Sequence, residues 1–366
     1  MKILCDRLLL SDVIMGVSKA VTQRSNLPIL EGILFKADRG ELVLTGYDLE
    51  MGITTTMPAN VKEAGEVVIS ARLLGDMVRR LNSDTVEIET DENLATTIRG
   101  GITEFNILGM PPMDYPELPT PGTDPVVTME AEVLKKMIDS TIYAVSQDDK
   151  KPAHTGELLH IEPEKLTIVA LDGYRLAICE RPITASRDIS IIAPQKTMLE
   201  LSRLIGDSAD QVEISANRRY VVFKAGGYVI MSRLIEGEFL DYQKVVPEGY
   251  KTKVTLKTKD FINSIERASL IITERLKNPL RIRFGSTVTV RCQTALGKVS
   301  DEFGAEAEGE ELEIGFNNRY LLDALKYAGC EEVRFELSGP LSPAKVLPAE
   351  GNDFLYLVLP VRFKND

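Results

Sequence analysis

Few side chains in this sequence have the types and spacing that catalysis needs. The only two histidines, His154 and His160, are spaced neither as a helical ligand pair nor as an HExxH motif. Asp48 and Asp172 each follow an apolar strand pattern and could in principle bind Mg²⁺, but caps of turns are the favoured interpretation. No GxSxG motif, P-loop or strand-borne GxGxxG motif is present. The sequence therefore predicts no catalytic residues, no metal and no cofactor.

A second group of side chains has the right charge to bind phosphate. Six Lys or Arg residues occupy equivalent positions in three predicted helices: Arg72, Arg79, Lys196, Arg203, Arg319 and Lys326. The two in each helix are seven residues apart, which is about two helical turns, so they share one face. Exposed helix faces also collect basic residues for solubility, but solubility does not require the same sign at the same two positions three times. We therefore favour a shared basic surface, although the net charge of the chain is −12.

Further basic residues follow the first helix of each repeat. They are Arg24, Lys150, Lys151, Arg275 and Lys277. Each of them alone is typical of a solvated loop, and only their recurrence suggests that they extend the basic surface.

The elements that must position these residues occur three times along the chain. Residues 9–81 match residues 133–205 without a gap at an offset of 124, and a third, looser copy opens at Phe261. A period of about 120 residues is the size of a domain, whereas solenoid units repeat every ~20–50 residues. The first helix of each copy is predicted at 6–22, 130–146 and 258–273, and the second at 71–82, 195–206 and 318–328. With the strands predicted between them, the fold class is α+β: three similar domains, each with two helices packed on antiparallel sheet.

Two segments rich in turn-forming residues separate the copies. Residues 109–125 hold six of the eighteen prolines, and residues 236–253 repeat their Asp-Tyr pair. They predict domains at 1–122, 123–247 and 248–366. Each copy ends in an alternating strand and a hairpin whose turn needs positive φ angles. The predicted turns are Gly100-Gly101, Gly226-Gly227 and Gly351-Asn352.

Composition indicates a soluble globular protein. The chain has 366 residues, 44% of them hydrophobic and 27% charged, enough for two or three domains. No signal-peptide pattern follows Met1, and no apolar run approaches the ~20 residues that span a bilayer. The four widely separated cysteines are typical of reduced, buried thiols in a cytosolic protein. We expect cytoplasmic localisation and no membrane association.

Several segments resemble the β sliding clamp of bacterial DNA polymerase III. They are LPILEGILF (27–35), LTGYDLEM (44–51), DGYRLA (172–177), FLDYQKVVP (239–247), EIGFNNRYLLDAL (313–325) and LPVRF (359–363). The segments follow the family's order and span essentially the whole chain. The resemblance implies three domains of similar fold per chain and two chains that form a closed ring, with helices inside and sheets outside.

For function, the resemblance implies a non-enzymatic processivity factor that encircles duplex DNA and tethers partner proteins to it. A ring needs only weak, sequence-independent phosphate contacts, so an acidic protein can hold DNA. The implied partners are the clamp loader, the replicative polymerase and other replication or repair proteins, which insert a short peptide motif. The DNA-facing side chains would be the six helical positions together with Arg24, Lys150 and Lys151.

The resemblance also places a hydrophobic partner-peptide cleft between the second and third domains. Its lining would be His154, Gly173, Tyr174, Arg175, Leu176, Leu240, Lys244, Val245, Asn317, Tyr320, Pro343, Leu359, Pro360, Val361 and Arg362. Aliphatic walls with a few polar groups suit peptide binding. Without the resemblance, plain core packing would be the favoured interpretation of Leu176, Leu359 and Val361.

This sequence departs from the family pattern at several cleft positions. His154 stands where a hydrophobic residue often lines the cleft, and Leu240 and Lys244 replace a proline and an arginine. Pro152 and Ala153 lie where the family has DNA-facing aromatic loop residues. We therefore base any DNA contact of that loop on Lys150 and Lys151.

The resemblance implies a head-to-tail homodimer in which the end of domain one meets the start of domain three. The residues concerned are Phe105, Ile107, Leu270, Ile271 and Ile272. An apolar sheet edge is a liability unless a partner covers it. Two alternatives to a clamp are a triplicated peptide-binding scaffold without DNA, which the repeated basic positions disfavour, and a nucleic-acid enzyme with metal-bound carboxylates, which the lack of a converging catalytic set disfavours.

Overall fold

The computed structural model describes residues 1–119, 124–205, 211–273 and 279–363. The chain divides into two compact units, Met1–Lys135 with Leu199–Leu234, and Lys136–Met198 with Ile235–Asp366. The predicted boundary between residues 122 and 123 lies outside the described residues, as do Arg275 and Lys277. None of the described helices is long and apolar enough to cross a membrane.

Six α-helices are present in the described part of the chain, two in each sequence repeat. They are α1 (Arg7–Val17), α2 (Ala71–Arg80), α3 (Ala131–Thr141), α4 (Gln195–Ile205), α5 (Thr258–Ser269) and α6 (Asn318–Ala328). They agree with the predicted helices, except that the first helix of each copy ends early: α1 and α3 pass into 3₁₀ turns at Ser18–Ala20 and Ile142–Ala144, and α5 ends at Ser269. Asp6 caps α1 by accepting a hydrogen bond from the Leu9 N–H at 2.8 Å, and Gly329 ends α6 at a φ of +63°.

The strands of the first half are β1 (Lys2–Asp6), β2 (Gly32–Asp38), β3 (Glu41–Tyr47), β4 (Met51–Pro58), β5 (Asn60–Glu63), β6 (Gly65–Ser70), β7 (Thr85–Thr90), β8 (Ala95–Gly100), β9 (Thr103–Leu108), β10 (Val127–Glu130), β11 (Gly156–Glu162), β12 (Lys165–Leu171) and β13 (Arg175–Pro182). Those of the second half are β14 (Ile189–Pro194), β15 (Gln211–Ala216), β16 (Tyr220–Ala225), β17 (Tyr228–Arg233), β18 (Thr252–Lys257), β19 (Leu280–Phe284), β20 (Thr287–Thr294), β21 (Gly297–Gly304), β22 (Glu306–Gly309), β23 (Leu312–Phe316), β24 (Glu332–Leu337), β25 (Ala344–Pro348) and β26 (Phe354–Val358).

The first unit holds a five-stranded and an eight-stranded antiparallel sheet. The five-stranded order is β5-β1-β7-β8-β9, and the eight-stranded order is β10-β15-β16-β17-β4-β3-β2-β6. The larger sheet combines two sequence repeats, because β17 of the second copy pairs with β4 of the first, with Ile230 opposite Ile53. Compact units and sequence repeats therefore have different boundaries.

The second unit is built in the same way. Its nine-stranded sheet has the order β14-β11-β12-β13-β26-β25-β24-β18-β22, and its four-stranded sheet has the order β21-β20-β19-β23. Here β13 of the second copy pairs with β26 of the third, with Leu176 opposite Leu357. The second copy thus contributes strands to both large sheets.

Burial follows the patterns that the sequence predicts. Leu74, Val78 and Leu81 of the second helix region are buried, whereas Met77 is only half-buried. In the third copy the core is aromatic: Phe261 packs edge-on against Phe284, with ring centroids 6.2 Å apart. Among the cysteines, which are free thiols, Cys330 is half-buried and the other three are buried.

The three predicted glycine turns differ in detail. Only the turn at Gly226 and Gly227 has positive φ at both positions, +57° and +80°. In the first copy only Gly101 is positive, at +60°, and in the third only Gly351, at +78°. The prediction of two left-handed residues per turn is therefore correct for the second copy alone, since the third-copy connection between β25 and β26 is longer than two residues.

Candidate partner cleft and basic helix faces

The predicted partner cleft is framed by β13 and β26 of the second unit. Leu176 near the start of β13 lies opposite Leu357 near the end of β26. Beyond β26, the Leu359 N–H donates to the Tyr174 carbonyl oxygen at 2.9 Å. The Val361 N–H then donates to a carbonyl oxygen of β23 at 2.8 Å. The segment after β26 is thereby held by hydrogen bonds to the loop before β13 and to β23.

An apolar cluster forms the floor of this region. Its buried members are Leu158, Val169, Leu171, Leu176, Ile178, Ile192, Tyr242 and Leu357. Leu176 is 4% exposed, so it is a core residue that also forms part of the floor of the predicted cleft. Leu359 and Val361 are each 38% exposed, and Leu240 and Val245 slightly more. These four aliphatic side chains are therefore available as the walls of a receptor.

Arg175 is the polar centre of the site. Its Nε lies 2.9 Å from Asp172, and a terminal nitrogen donates to Asp323. The guanidinium also lies over the rings of Tyr143 and Tyr320, at 5.3 Å and 4.9 Å from the centroids. Burial by itself would lower the Arg175 pKa, but hydrogen bonding to Asp323 and the charges of both carboxylates raise it above its usual value. The side chain is thus a fixed, charged link between β13 and α6.

The loop before β13 presents an aromatic platform. The Tyr174 ring stacks on Tyr320 of α6, with centroids 5.7 Å apart and planes at 16°. Gly173 has a φ of +90°, which permits the tight turn that exposes Tyr174. Asn317 caps α6 by accepting from the Arg319 N–H at 2.9 Å. Asn317 therefore has a structural role in addition to its predicted place in the cleft.

The prediction that Asp48 and Asp172 cap turns is confirmed. Asp48 accepts hydrogen bonds from the N–H groups of the second and third residues after it, at 3.0 and 2.7 Å. Asp172 makes the equivalent pair of bonds at 2.9 and 3.1 Å. Within the described residues, no group of three potential metal-binding side chains occurs.

The departures from the family pattern lie at the margin of the cleft. The His154 ring packs edge-on against Phe239, which packs on the apolar floor, with centroids 5.8 Å apart. Burial and then the nearby charge of Lys151 lower the His154 pKa, so the ring is neutral at physiological pH. Lys244 is exposed and paired with Asp241 at 2.7 Å.

The remaining predicted cleft residues surround the segment after β26. Pro343 is half-buried and directly precedes Ala344, which lies opposite Val358. Pro360 is half-buried and Arg362 is exposed. All fifteen predicted cleft residues thus belong to one unit.

The repeated basic positions are exposed on their helices and differ in their pairing. Those nearer the helix C-termini are paired with carboxylates: Arg79 with Asp76 at 2.6 Å, Arg203 with Glu200 at 2.6 Å and Lys326 with Glu266 at 2.7 Å. Among the described residues, Arg72 and Arg319 form no ion pair. Arg24, Lys150 and Lys151 are exposed as well. In α2 and α6, the basic residue nearer the helix N-terminus therefore carries the less compensated charge of the two.

Comparison with known proteins identifies the family. Models of the N-terminal, central and C-terminal domains of the DNA polymerase III beta subunit match residues 1–119, 128–241 and 243–362. The chain is 33% identical to the beta sliding clamp of Staphylococcus aureus over 356 residues, 94% of each chain. This chain belongs to the DNA polymerase III β-subunit family.

Solved clamp structures have the same fold. The DNA polymerase sliding clamp of Bacillus subtilis matches with a TM-score of 0.96 at 31% identity, over 100% of both chains. The clamp of Bartonella birtlesii, solved bound to griselimycin, matches with a TM-score of 0.93 at 30% identity, over 99% of this chain and 100% of that one.

Family membership confirms three predictions. The chain has a three-domain clamp fold of helices and antiparallel sheets, it is a DNA sliding clamp of replication, and it is a processivity factor without catalytic function. The sequence segments that carried the resemblance are distributed over all three domains, which is why they were specific together although none is a catalytic signature.

Two edge strands of this clamp chain, β9 and β21, lie in the two smaller sheets. In the five-stranded sheet β9 lies at the edge, with half-buried Phe105 and Ile107. In the four-stranded sheet β21 lies at the edge. At the end of α5, Leu270 is 81% exposed, while Ile271 and Ile272 are half-buried. The sequence prediction named these apolar residues but not β21. The apolar residues Val299 and Phe303, which lie on the same half-buried face of this strand, were a usable signal.

Two further side chains of the clamp cleft were missed. Tyr143 and Asp323 hold Arg175 in place, yet they lie 32 and 148 residues from it in sequence. No local pattern identifies either of them.

Proposed function

We propose that two copies of this clamp close head to tail into a ring around duplex DNA. Membership of the sliding-clamp family is the observation that carries the proposal. Three similar domains per chain would give six similar segments per ring. Two identical head-to-tail contacts are enough to close such a ring.

The proposed subunit contact joins β9 of one protomer to β21 of its partner. Each is a sheet edge with free backbone groups, and pairing them would extend the sheet across the contact. Phe105 and Ile107 would then pack against Leu270, Ile271 and Ile272. Burial of the highly exposed Leu270 is the strongest reason to place a partner there.

The repeated basic residues would line the bore of the ring. Because three of the six are already paired with carboxylates, the lining would attract phosphates weakly and without reading sequence. Arg24, Lys150 and Lys151 would add loop contacts. A lining of this kind lets a topologically linked ring slide, and the acidic remainder of the surface would disfavour binding elsewhere.

The cleft around Leu176, Leu359 and Val361 would receive a short peptide from the clamp loader, the replicative polymerase and other replication or repair proteins. A buried apolar floor, exposed aliphatic walls and a fixed Arg175–Tyr174–Tyr320 group support this assignment. Griselimycin, which was found bound to the Bartonella clamp, would occupy this cleft. We expect the clamp to act in the cytoplasm, where it meets chromosomal DNA, and the domains to extend over 1–122, 123–247 and 248–366.

The test is retention on DNA of different topology. Wild-type clamp is loaded by its clamp loader on nicked circular plasmid and separated from free protein by gel filtration. The ring is expected to co-elute with circles and to leave after a restriction enzyme linearises them. A peptide-binding scaffold would not load, and a conventional DNA-binding protein would be retained equally on linear DNA; either result contradicts the proposal.

A further inference from the structure

A basic depression adjoins the proposed peptide cleft on the second unit. It has a volume of about 940 Å³ and is lined by residues of the sheet β21-β20-β19-β23 and of the segment after β26. Val361 and Arg362 line it, and both also belong to the predicted cleft. We call this depression, defined by Arg281, Arg291, Lys298, Glu313, Arg362 and Phe363, the basic basin. The basin and the cleft are therefore continuous along the chain that follows β26.

The floor of the basin contains two arginines in direct opposition. Arg281 of β19 and Arg291 of β20 are register partners in the antiparallel pair. Like charges placed directly opposite each other in a sheet destabilise it. This arrangement is understandable if an anion binds over the two guanidinium groups and offsets their repulsion.

The wall of the basin is specifically shaped. The Phe363 ring lies 4.3 Å from the Arg281 guanidinium carbon and holds that side chain by a cation–π contact. Gly315, the neighbour of Arg281 on β23, leaves space for this ring, because a Cβ there would lie 2.9 Å from it. A glycine at this strand position thus allows the segment after β26 to close one side of the basin.

Three of the four cationic side chains in the basin have no carboxylate partner among the described residues. Four cationic side chains and one carboxylate, Glu313, line it. Within the described part of the chain, Arg291, Lys298 and Arg362 form neither an ion pair nor a side-chain hydrogen bond. By contrast, Arg283 of the same sheet lies outside the basin and is paired with Glu311. An unpaired cationic group in a chain of net charge −12 indicates that its counter-charge comes from a ligand.

We propose that the basic basin binds the carboxylates of an acidic segment that flanks the apolar anchor of the partner peptide. This proposal rests on the proposed function of the cleft and specifies the class of peptide that it accepts. Val361 and Arg362 are consecutive and line both the cleft and the basin, so a peptide anchored in the cleft can extend directly over the basin. At ~3.4 Å per extended residue, about three residues beyond the anchor are enough for this step. Guanidinium groups bind carboxylates in paired, directional contacts.

An acidic peptide fits better than DNA. The basin lies on a sheet face, whereas the basic positions assigned to DNA lie on helices. The basin also shares two residues with the peptide cleft. A single anionic segment a few residues long matches its size, and a duplex would require a longer row of cations.

The first experiment selects peptides from a random twelve-residue phage library on full-length wild-type clamp. Binders that also bind the Leu240→Ala/Leu359→Ala variant are discarded; both substitutions lie in the cleft, outside the basin, and add no charge, so the remaining peptides depend on the cleft. We expect an apolar anchor with Asp or Glu enriched within about three residues on one side. If no cleft-dependent peptide is recovered, the proposed function of the cleft fails. If anchors are recovered without acidic enrichment, only the present inference fails.

The second experiment measures one selected peptide and its twin with every Asp and Glu changed to Asn or Gln. In fluorescence anisotropy, wild-type clamp should bind the twin about tenfold more weakly, the effect of two exposed ion pairs. The variant Arg291→Gln/Lys298→Gln should bind both peptides equally, at the affinity of wild type for the twin. An affinity for the twin equal to that of wild type also shows that the variant is folded.

The matched control is Arg283→Gln, an arginine of the same sheet outside the basin. It should retain the tenfold preference, and the preference should shrink as NaCl is raised from about 50 to about 500 mM. An unchanged preference in Arg291→Gln/Lys298→Gln would overturn the assignment. So would a selective loss, in that variant, of binding to a twelve-base-pair duplex, which would make the basin a DNA contact.

Discussion

The substitution Glu157→Gln should remove a large pH dependence of clamp stability. Glu157 is the second residue of β11, next to Leu158 of the apolar floor, and is completely buried. One carboxyl oxygen lies 2.6 Å from the Thr141 hydroxyl, and the other has no hydrogen-bond partner among the described residues. Burial, and to a smaller extent the charge of Asp139, raises the Glu157 pKa to about 8, while the Thr141 hydrogen bond opposes the shift.

The surrounding geometry favours a protonated carboxyl. The Thr141 hydroxyl oxygen also lies 2.9 Å from the Met137 carbonyl oxygen, and its single proton cannot serve both acceptors. A protonated Glu157 can donate to Thr141, which then donates to Met137. When the carboxyl is neutral, the Thr141 oxygen and the Met137 oxygen each receive a proton; when it is ionised, the single Thr141 proton can serve only Glu157 or Met137.

The sign and size of the effect follow from the pKa values. A folded-state pKa of about 8, above the ordinary 4.5, means that the stability provided by the neutral carboxyl is complete below about pH 4.5. This contribution is lost progressively as the pH rises through about 8. Between about pH 5.5 and about pH 7.5, wild type should lose about 2.5 kcal/mol that the Glu157→Gln variant keeps.

The assay is urea unfolding followed by circular dichroism at several pH values. The matched control is Glu164→Gln, an exposed residue in the turn after the same strand, which should follow wild type in parallel. The free-energy difference between Glu157→Gln and wild type should grow with pH and level off above about pH 8. A difference that is constant over this range would refute the reasoning that Glu157 is buried in its neutral form.

Three further outcomes are expected. Arg72→Glu should reduce retention on nicked circular DNA more strongly than Arg79→Glu, because a neighbouring carboxylate already compensates Arg79; equal losses in a salt titration would contradict this. Ile107→Asp should weaken the dimer by about 10- to 100-fold in analytical ultracentrifugation, because it places a charge in an apolar contact; an unchanged dimer would argue against the proposed edge pairing. Leu359→Asp should weaken griselimycin binding more than tenfold by calorimetry, whereas Leu49→Asp, at a similarly exposed leucine, should have no effect; equal effects would show that Leu359 lies outside the binding site.

Local features of the structure were predictable because short-range chemistry determines them. The helices follow apolar spacing, and the shared positions of Arg72 and Arg79 follow from the helical repeat. The turns at Asp48 and Asp172 follow from the ability of an aspartate to accept hydrogen bonds from the backbone two and three residues on. The same helix spacing and the same turn-capping aspartates occur in more than one copy of the repeat, and this recurrence made them easier to identify in the sequence.

The cleft was not predictable from these local rules. Arg175 meets Asp323, and Tyr174 meets Tyr320, only because β13 and β26 pair across sequence repeats. The segment LPVRF also has the pattern of a buried strand. It leaves the sheet after Val358, because the N–H of Leu359 donates to the loop before β13 and the N–H of Val361 donates to β23.

A comparison of the two repeat junctions explains why only one of them suits an apolar peptide. In the first unit the Arg233 N–H donates to the Glu50 carbonyl oxygen at 2.8 Å, which is the equivalent of the bond from Leu359 to Tyr174 in the second unit. The backbone frame is therefore the same at both junctions. In the first, however, Arg233 and Glu50 carry charged side chains 3.8 Å apart.

The two junctions differ in the side chains at these equivalent positions. Arg175, the polar centre of the cleft, corresponds to Met51, which is 1% exposed and part of the core. In the first unit the connector also covers its sheet: Leu118 approaches Gly52 so closely that a Cβ there would lie 2.5 Å from it. The first junction is thus filled by its own connector and rimmed with paired charges. At the second, Leu359 and Tyr174 remain exposed, so this junction keeps the apolar surface that the proposed peptide receptor requires.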